Sequence, residues 1–161
     1  MRKQNVLGVT TTAIGLSLLL VGSVLTQDSE RRVKMKDLPQ AVQQTVSEQS
    51  RGATVKGFSK EVEHGQTFYE VEMKVNGHGK DVLIDPNGAV VEIEEEVALA
   101  SLAPDVRVTI EHNADKGKVL KVESITKNNA VVAYEAHVRK AGKKSEIKVS
   151  PYGKLLPKDE Q

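Results

Sequence analysis

The sequence predicts an α+β fold made of two tandem helix-plus-antiparallel-meander units, on three observations. Residues recur at a spacing of 65 without a gap from Pro39 to Leu156: Pro39 and Pro104, Gly52 and Gly117, Tyr69-Glu70 and Tyr134-Glu135, Gly77 and Gly142. Each half opens on a proline followed by apolar residues at helical spacing. Each continues with alternating apolar and polar residues interrupted by Gly and Asn turns, the mark of short antiparallel strands.

In the first unit, Leu38-Pro39 precedes Ala41, Val42, Thr45 and Val46, spaced as one face of a helix, and Gly52 is a natural stop. The proline fits a first helical turn, where its missing N–H leaves nothing unpaired, with Asp37 or Leu38 near the N-cap. Strands are expected over residues 54–63, 68–75, 80–85 and 89–94. The turns His64-Gly65-Gln66, Asn76-Gly77-His78-Gly79 and Asp85-Pro86-Asn87-Gly88 join them. In the strand at 68–75, Tyr69, Val71, Met73 and Val75 share one side, and Glu70, Glu72 and Lys74 the other.

The second unit repeats this order. Ala103-Pro104 opens a helix weakened by the β-branched Val106, Val108, Thr109 and Ile110. Strands are expected over 118–127, 130–140 and 143–150, with a short last one at 154–156. Asn128-Asn129 and Ala141-Gly142 supply the turns. A helix covering one face of each meander leaves the other face polar. Glu70 and Glu72 of the first unit and Glu135, His137 and Arg139 of the second would lie there, as possible contacts for a partner or as a solvated face.

The amino terminus has the parts of an export signal. Arg2 and Lys3 come first, followed by an uncharged stretch to Asp28 centred on the apolar run Ala13 to Val21. Cleavage near Ser23 or Thr26 fits, and so does retention as an uncleaved anchor, since Val6 to Leu25 is about the length that crosses a bilayer. Either way the rest is exported, to the periplasm or beyond the cell. The boundaries are then 1–27 for signal or anchor, 28–36 for a linker, 37–96 and 97–157 for the two units, and 158–161 for a tail.

Composition bounds the function. The chain has 161 residues, 23 Lys+Arg against 22 Asp+Glu, and a net charge of +1. That balance argues against nucleic acid, which demands a basic excess. With no Cys there is no disulfide, thiolate site or cysteine nucleophile, and with aromatics at 3% there is no stacking platform. The charge is uneven: residues 28–98 hold 14 acids and 9 bases, residues 99–161 hold 8 acids and 12 bases. Head-to-tail self-association could follow from that; the oligomeric state stays open. Glu92, Glu94, Glu95 and Glu96 fall near the border and fit a solvated strand end and linker, or a dock for a basic partner or loose divalent cation. Arg139-Lys140 and Lys143-Lys144 fit a solvated turn or a contact with anionic envelope polymers.

Catalytic and ligating patterns are missing. His64, His78, His112 and His137 do not pair at metal-ligand spacing. No nucleophile elbow or phosphate-cradling loop is present. Asp85-x-Asn87-Gly88 starts like a calcium loop but lacks the later acidic ligand, which leaves a turn. No metal, no cofactor and no enzymatic activity are expected.

The order Leu38-Pro39, Tyr69-Glu70-Val71, Val82-Leu83-Ile84-Asp85, Gly88 and Val90-Val91 resembles the PepSY-like family of exported bacterial domains, including its β-lactamase-inhibitor-like members. So do Tyr134-Glu135-Ala136, Ile147-Lys148-Val149-Ser150, Gly153 and Leu155-Leu156. The resemblance covers residues 37–156 and implies a tandem α+β domain that binds, and in some members inhibits, another protein. Ser150 departs from the turn acid of the first copy. No peptidase domain follows, so a propeptide role in cis is not expected, and the family brings no catalytic residue. The expected partner is an envelope or extracellular protein, an enzyme among the candidates, with membrane contact only through an uncleaved amino terminus. A structural or small-ligand-sequestering envelope protein is the alternative.

Overall fold

In a computed structural model, residues 29–157 are described. The signal or anchor at 1–27 and the tail at 158–161 fall outside them. Eight strands form one antiparallel sheet in sequence order: β1 (Ser29–Val33), β2 (Thr54–Glu63), β3 (Gln66–Val75), β4 (His78–Ile84), β5 (Val90–Glu96), β6 (Lys118–Lys127), β7 (Ala130–Lys140) and β8 (Lys143–Val149). Helix α1 (Gln40–Gln49) lies between β1 and β2, and α2 (Pro104–Ala114) between β5 and β6.

This corrects the expected fold class. The molecule is mostly one eight-stranded sheet with two short helices, not an α+β pair of helix-plus-meander units. The join is made by β5 and β6, where Ile93, Glu94, Glu95 and Glu96 face Thr126, Ile125, Ser124 and Glu123. The ladder continues at Val97, whose N–H donates to the Val122 carbonyl. Glu92–Glu96 is therefore part of a central strand and not a linker. An interior strand leaves no unpaired backbone edge between the halves. A second correction concerns residues 28–36, read as a linker: Ser29–Val33 pairs with Phe58–Val62 as the edge strand β1.

Local chemistry accounts for the strand ends. Four hairpins turn on two residues that both have positive φ: His64-Gly65, Asn76-Gly77, Asn128-Asn129 and Ala141-Gly142. That conformation matches the right-handed twist of the flanking strands. At β4–β5, the Asp85 carboxylate accepts the N–H groups of Asn87 and Ala89 at 2.9 and 2.8 Å. After β8, the Ser150 hydroxyl does the same for Tyr152 and Lys154. The strand expected at 154–156 is a single bridge between Val149 and Leu155.

Both helices pack on the same sheet face. Leu38, Val42 and Val46 close over Val71, Met73, Val82 and Ile84, with Phe58, Tyr69 and Ile93 at the margin. Leu102, Val106, Ile110 and Ala114 close over Val122, Ala136, Val138, Ile147 and Val149, with Tyr134 at the margin. Strand positions 65 apart share a register, since Tyr69 faces Ile84 and Tyr134 faces Val149. In the helices the spacing is 64, as in Val42 and Val106 or Val46 and Ile110. Pro39 accordingly caps α1, whereas Pro104 is the first residue of α2. An ungapped spacing of 65 does not run through the helices.

Candidate functional site: the sheet face opposite the helices

The period-2 pleat sends one set of side chains to the helices and the alternate set to the other face. Among the described residues neither helix lies on that second face. It carries Arg32 of β1, Ser59 and Glu61 of β2, Glu70 and Glu72 of β3, and Asp81 of β4. It continues with Glu92 and Glu94 of β5, Glu123 of β6, Glu135, His137 and Arg139 of β7, and Glu146 and Lys148 of β8. Antiparallel pairing aligns these into rows, with Glu72 facing Asp81, Asp81 facing Glu94, and Glu123 facing Glu135.

The face is recessed. Glu123 retains 2% of its exposure, Ser59 0% and Ile125 3%, although no helix covers them. A depression of about 80 Å³ is lined by Glu61, Glu63, Glu70, Asp81, Glu92 and Glu94, together with Leu83. Crowding carboxylates in such a place disfavours their charged form. Burial, helped by a hydrogen bond and charge repulsion from Glu61, pushes Glu70 up to about 9. Burial followed by repulsion from Glu123 and Glu92 pushes Glu94 up to about 8. Asp81 rises to about 6, through burial and then Glu123. Glu135 is raised as well, by burial and by Glu146. At neutral pH the depression therefore stores protons on Glu70 and Glu94.

Cations frame these acids. The Arg32 guanidinium reaches across β2 to the Glu72 carboxylate at 2.5 Å. It can do so because Gly57, which faces Glu72, has no side chain; a Cβ there would collide with the guanidinium. Lys127 pairs with Glu92 at 2.6 Å and Lys121 with the buried Glu123 at 2.6 Å. Burial opposes the charge on Lys121, but the bond to Glu123 and the negative charges of Glu123, Asp81 and Glu94 together outweigh it and raise the ammonium.

The five residues singled out from sequence all belong to this face but do not form one cluster. Glu70 and Glu72 are on β3. Glu135 and His137 are four strands away on β7, roughly 19 Å at the usual strand spacing. Glu135 and His137 meet, at 3.6 Å. Arg139 is exposed at the far end of β7, where it faces Lys118 and Lys144. The gap between the groups is filled by Asp81 and Glu123, which the sequence reasoning missed, and by Glu94, which it read only as part of the acid run near the border of the halves. Extending the alternation of Tyr69-Glu70-Val71 into β4 and β5 would have found Asp81 and put Glu94 on this face. Glu123 depended on knowing that β5 and β6 pair.

Two groups bring three potential metal-ligand atoms within 4.8 Å of one another: Asp81 with Glu94 and Glu123, and Glu135 with His137 and Glu146. The first is made of carboxylates alone. The second mixes a ring nitrogen with carboxylates.

No protein-family model and no curated protein matches the chain. Solved structures do. A BLIP-like protein from Bacteroides fragilis shares 24% identity at a TM-score of 0.54, covering 74% of this chain and 84% of that one. A DUF2874 family protein from Bacteroides ovatus shares 22% at 0.57, covering 74% and 85%. A protein from Bacteroides eggerthii, provisionally described as periplasmic, shares 18% at 0.60, covering 74% and 86%. At these identities the likeness is one of fold: the chain has a BLIP-like fold.

Proposed function

We propose that this chain is an exported, non-enzymatic binding protein that docks another envelope or secreted protein on the open face of its sheet, and that an enzyme restrained by this contact is the natural partner. The observation that carries the proposal is the recessed row of carboxylates on a face that no helix covers among the described residues. Desolvated, mutually repelling acids are a poor solution for a face that meets only water. They suit a partner whose Lys or Arg side chains enter the depression and replace the stored protons. Arg32, Lys121 and Lys127 at its margins fix the register of such a partner by repulsion as well as attraction.

Export belongs to the same proposal. It rests on the signal-like or anchor-like residues 1–27 and on the company of a fold found in a protein provisionally described as periplasmic. Membership in the PepSY-like, β-lactamase-inhibitor-like group is likewise proposed, from Leu38-Pro39, Tyr69-Glu70-Val71 and the turns at Gly88 and Gly153. Among the described residues no helix is long and apolar enough to cross a membrane.

The test uses two baits in envelope extract, the wild-type protein and Glu70→Lys/Glu94→Lys. Recovery of a protein that binds the first saturably, more tightly as pH rises from 6 to 9, and the second at least 10-fold more weakly is the expected result. Equal binding to both baits, or no saturable partner, would overturn the proposal.

A further inference from the structure

We infer that the β7–β8 hairpin end of the open face binds a phosphate-bearing polymer along a row of cations formed by Lys118, Arg139 and Lys144. This does not rest on the docking proposal, because it concerns the opposite charge at another end of the face.

Strand register builds the row. Lys118 of β6 faces Arg139 of β7, and Arg139 faces Lys144 of β8, so three neighbouring strands present a cation at one level of the open face. At the usual strand spacing the row is about 10 Å long. All three residues are exposed, and among the described residues none of the three makes an ion pair. On the helix side of the same hairpin Lys140 faces Lys143, and Lys140 already has the exposed Asp115 as a partner. Gly117 lets the turn after α2 close on the hairpin, since a Cβ there would stand 2.6 Å from a Val138 methyl and 3.2 Å from Lys140 Cβ. Strand β6 therefore starts at Lys118, level with Arg139.

The fold does not require these charges. The first half of the molecule builds the matching hairpin on Asn76-Gly77 in place of Ala141-Gly142. There Thr54, Lys74 and Gly79 hold the three positions of the row, and Val75 faces His78 where Lys140 faces Lys143. Like charges directly opposite one another destabilise a sheet. Three cations where the matching row has one are a structural cost that contact with an anion offsets.

The shape of the site selects the anion. The row has no walls, so a small anion would stay hydrated there and exchange with salt. A polymer is held instead, because every exposed cation adds a counterion-releasing contact along one chain. Phosphate suits the mixture of cations: the Arg139 guanidinium can fork onto two oxygens, and the flanking lysines act as point charges for the neighbouring groups. The row holds no aromatic side chain for bases to stack on, which favours a phosphate polymer without bases. A bilayer suits the site less. The chain enters the sheet at Ser29, which faces Val62 near the β2–β3 hairpin, at the other end of the strands. A membrane holding the amino terminus therefore lies away from the row. The hairpin tip, Ala141-Gly142, also lacks a large apolar side chain to enter the headgroup layer.

The test is calorimetric titration of the full chain with long-chain inorganic polyphosphate. Beside the wild type stand the row variant, Lys118→Gln/Arg139→Gln/Lys144→Gln, and a control, Lys34→Gln/Lys36→Gln/Arg51→Gln, which loses the same charge from exposed positions elsewhere. The wild type should bind saturably, and roughly 20-fold more weakly at 200 mM than at 50 mM salt, the mark of about three released counterions. Binding should weaken at least 10-fold in the row variant and stay within about twofold of wild type in the control. The row variant should melt no lower than the wild type, because the opposed charges are gone. Vesicles of phosphatidylcholine and phosphatidylglycerol should bind the wild type and the row variant alike. Absence of polyphosphate binding, equal binding by wild type and row variant, or equal weakening in the control would overturn the inference. So would a row variant that melts lower, or vesicle binding that depends on the row.

Discussion

Glu70 and Glu94 each carry a proton that the same residue would release in an unfolded chain near pH 4.5. The folded state thus binds more protons than the unfolded state between that pH and the folded values of about 9 and 8. Stability falls with rising pH wherever the native state holds the excess protons. The contribution is whole below pH 4.5 and is lost as pH climbs toward 8 and 9. Melting temperature should therefore decline from pH 5 to pH 9. Glu94→Gln and Glu70→Gln should leave stability at pH 5 nearly unchanged and raise it at pH 9 by about 1 kcal/mol each, once solvent screening is allowed for. Denaturant titration at the two pH values checks this; variants that destabilise equally at both would show that the carboxyl groups are ionised in the fold. Much of this chemistry was hidden in the sequence. The alternation around Tyr69 placed Glu70 and Glu72 on the right face, and the same rule placed Glu135 and His137. Proton storage, however, arises first from burial and then from Glu61 beside Glu70 and Glu123 beside Glu94, all of which depend on how the strands assemble.

At the level of elements, turn and helix chemistry was the most legible part. Strands β2, β6 and β7 have the limits that Gly, Asn and period-2 alternation imply. Strand β1 was missed because Ser29-Glu30-Arg31-Arg32-Val33 has almost no apolar alternation; it is held by pairing with β2 and by the Arg32–Glu72 bridge. The helices meet the sheet through matching contacts, in which Thr45 donates to the Gly88 carbonyl at 2.6 Å and Thr109 to that of Gly153 at 2.7 Å. Gly88 has φ +89°, and a Cβ there would stand 2.9 Å from the Ala41 carbonyl oxygen. Gly88→Ala should accordingly cost about 2 kcal/mol, from the strained backbone and the displaced helix. Ala141 shows the opposite case, a residue with a Cβ at φ +48° in a hairpin that favours Asn or Gly. Ala141→Asn should gain about 0.5–1 kcal/mol. Opposite signs for these two variants in thermal unfolding are expected; a neutral Gly88→Ala would mean that α1 is free to move away from the turn.

For the whole molecule, the β5–β6 ladder decides the behaviour. Each hydrophobic cluster belongs to a stretch of some 60 residues, a size at which a core alone is marginal. Joined by Ile93–Glu96 against Glu123–Thr126, the two should melt in one cooperative transition seen identically by far-UV dichroism and tyrosine absorbance. Two separated transitions would mean that the ladder does not couple them. The same join makes the open face continuous from β1 to β8, and that face is where the proposed partner docks. Carboxyl labelling with a carbodiimide and an amine, read by mass spectrometry on the free protein and on its complex with the captured partner, tests this most directly. Labelling at Glu72, Asp81 and Glu92 should drop severalfold in the complex while Glu48 of α1 and Glu111 of α2 react as before. Protection of Glu48 and Glu111 with the open-face acids still reactive would place the partner on the helices and contradict the account.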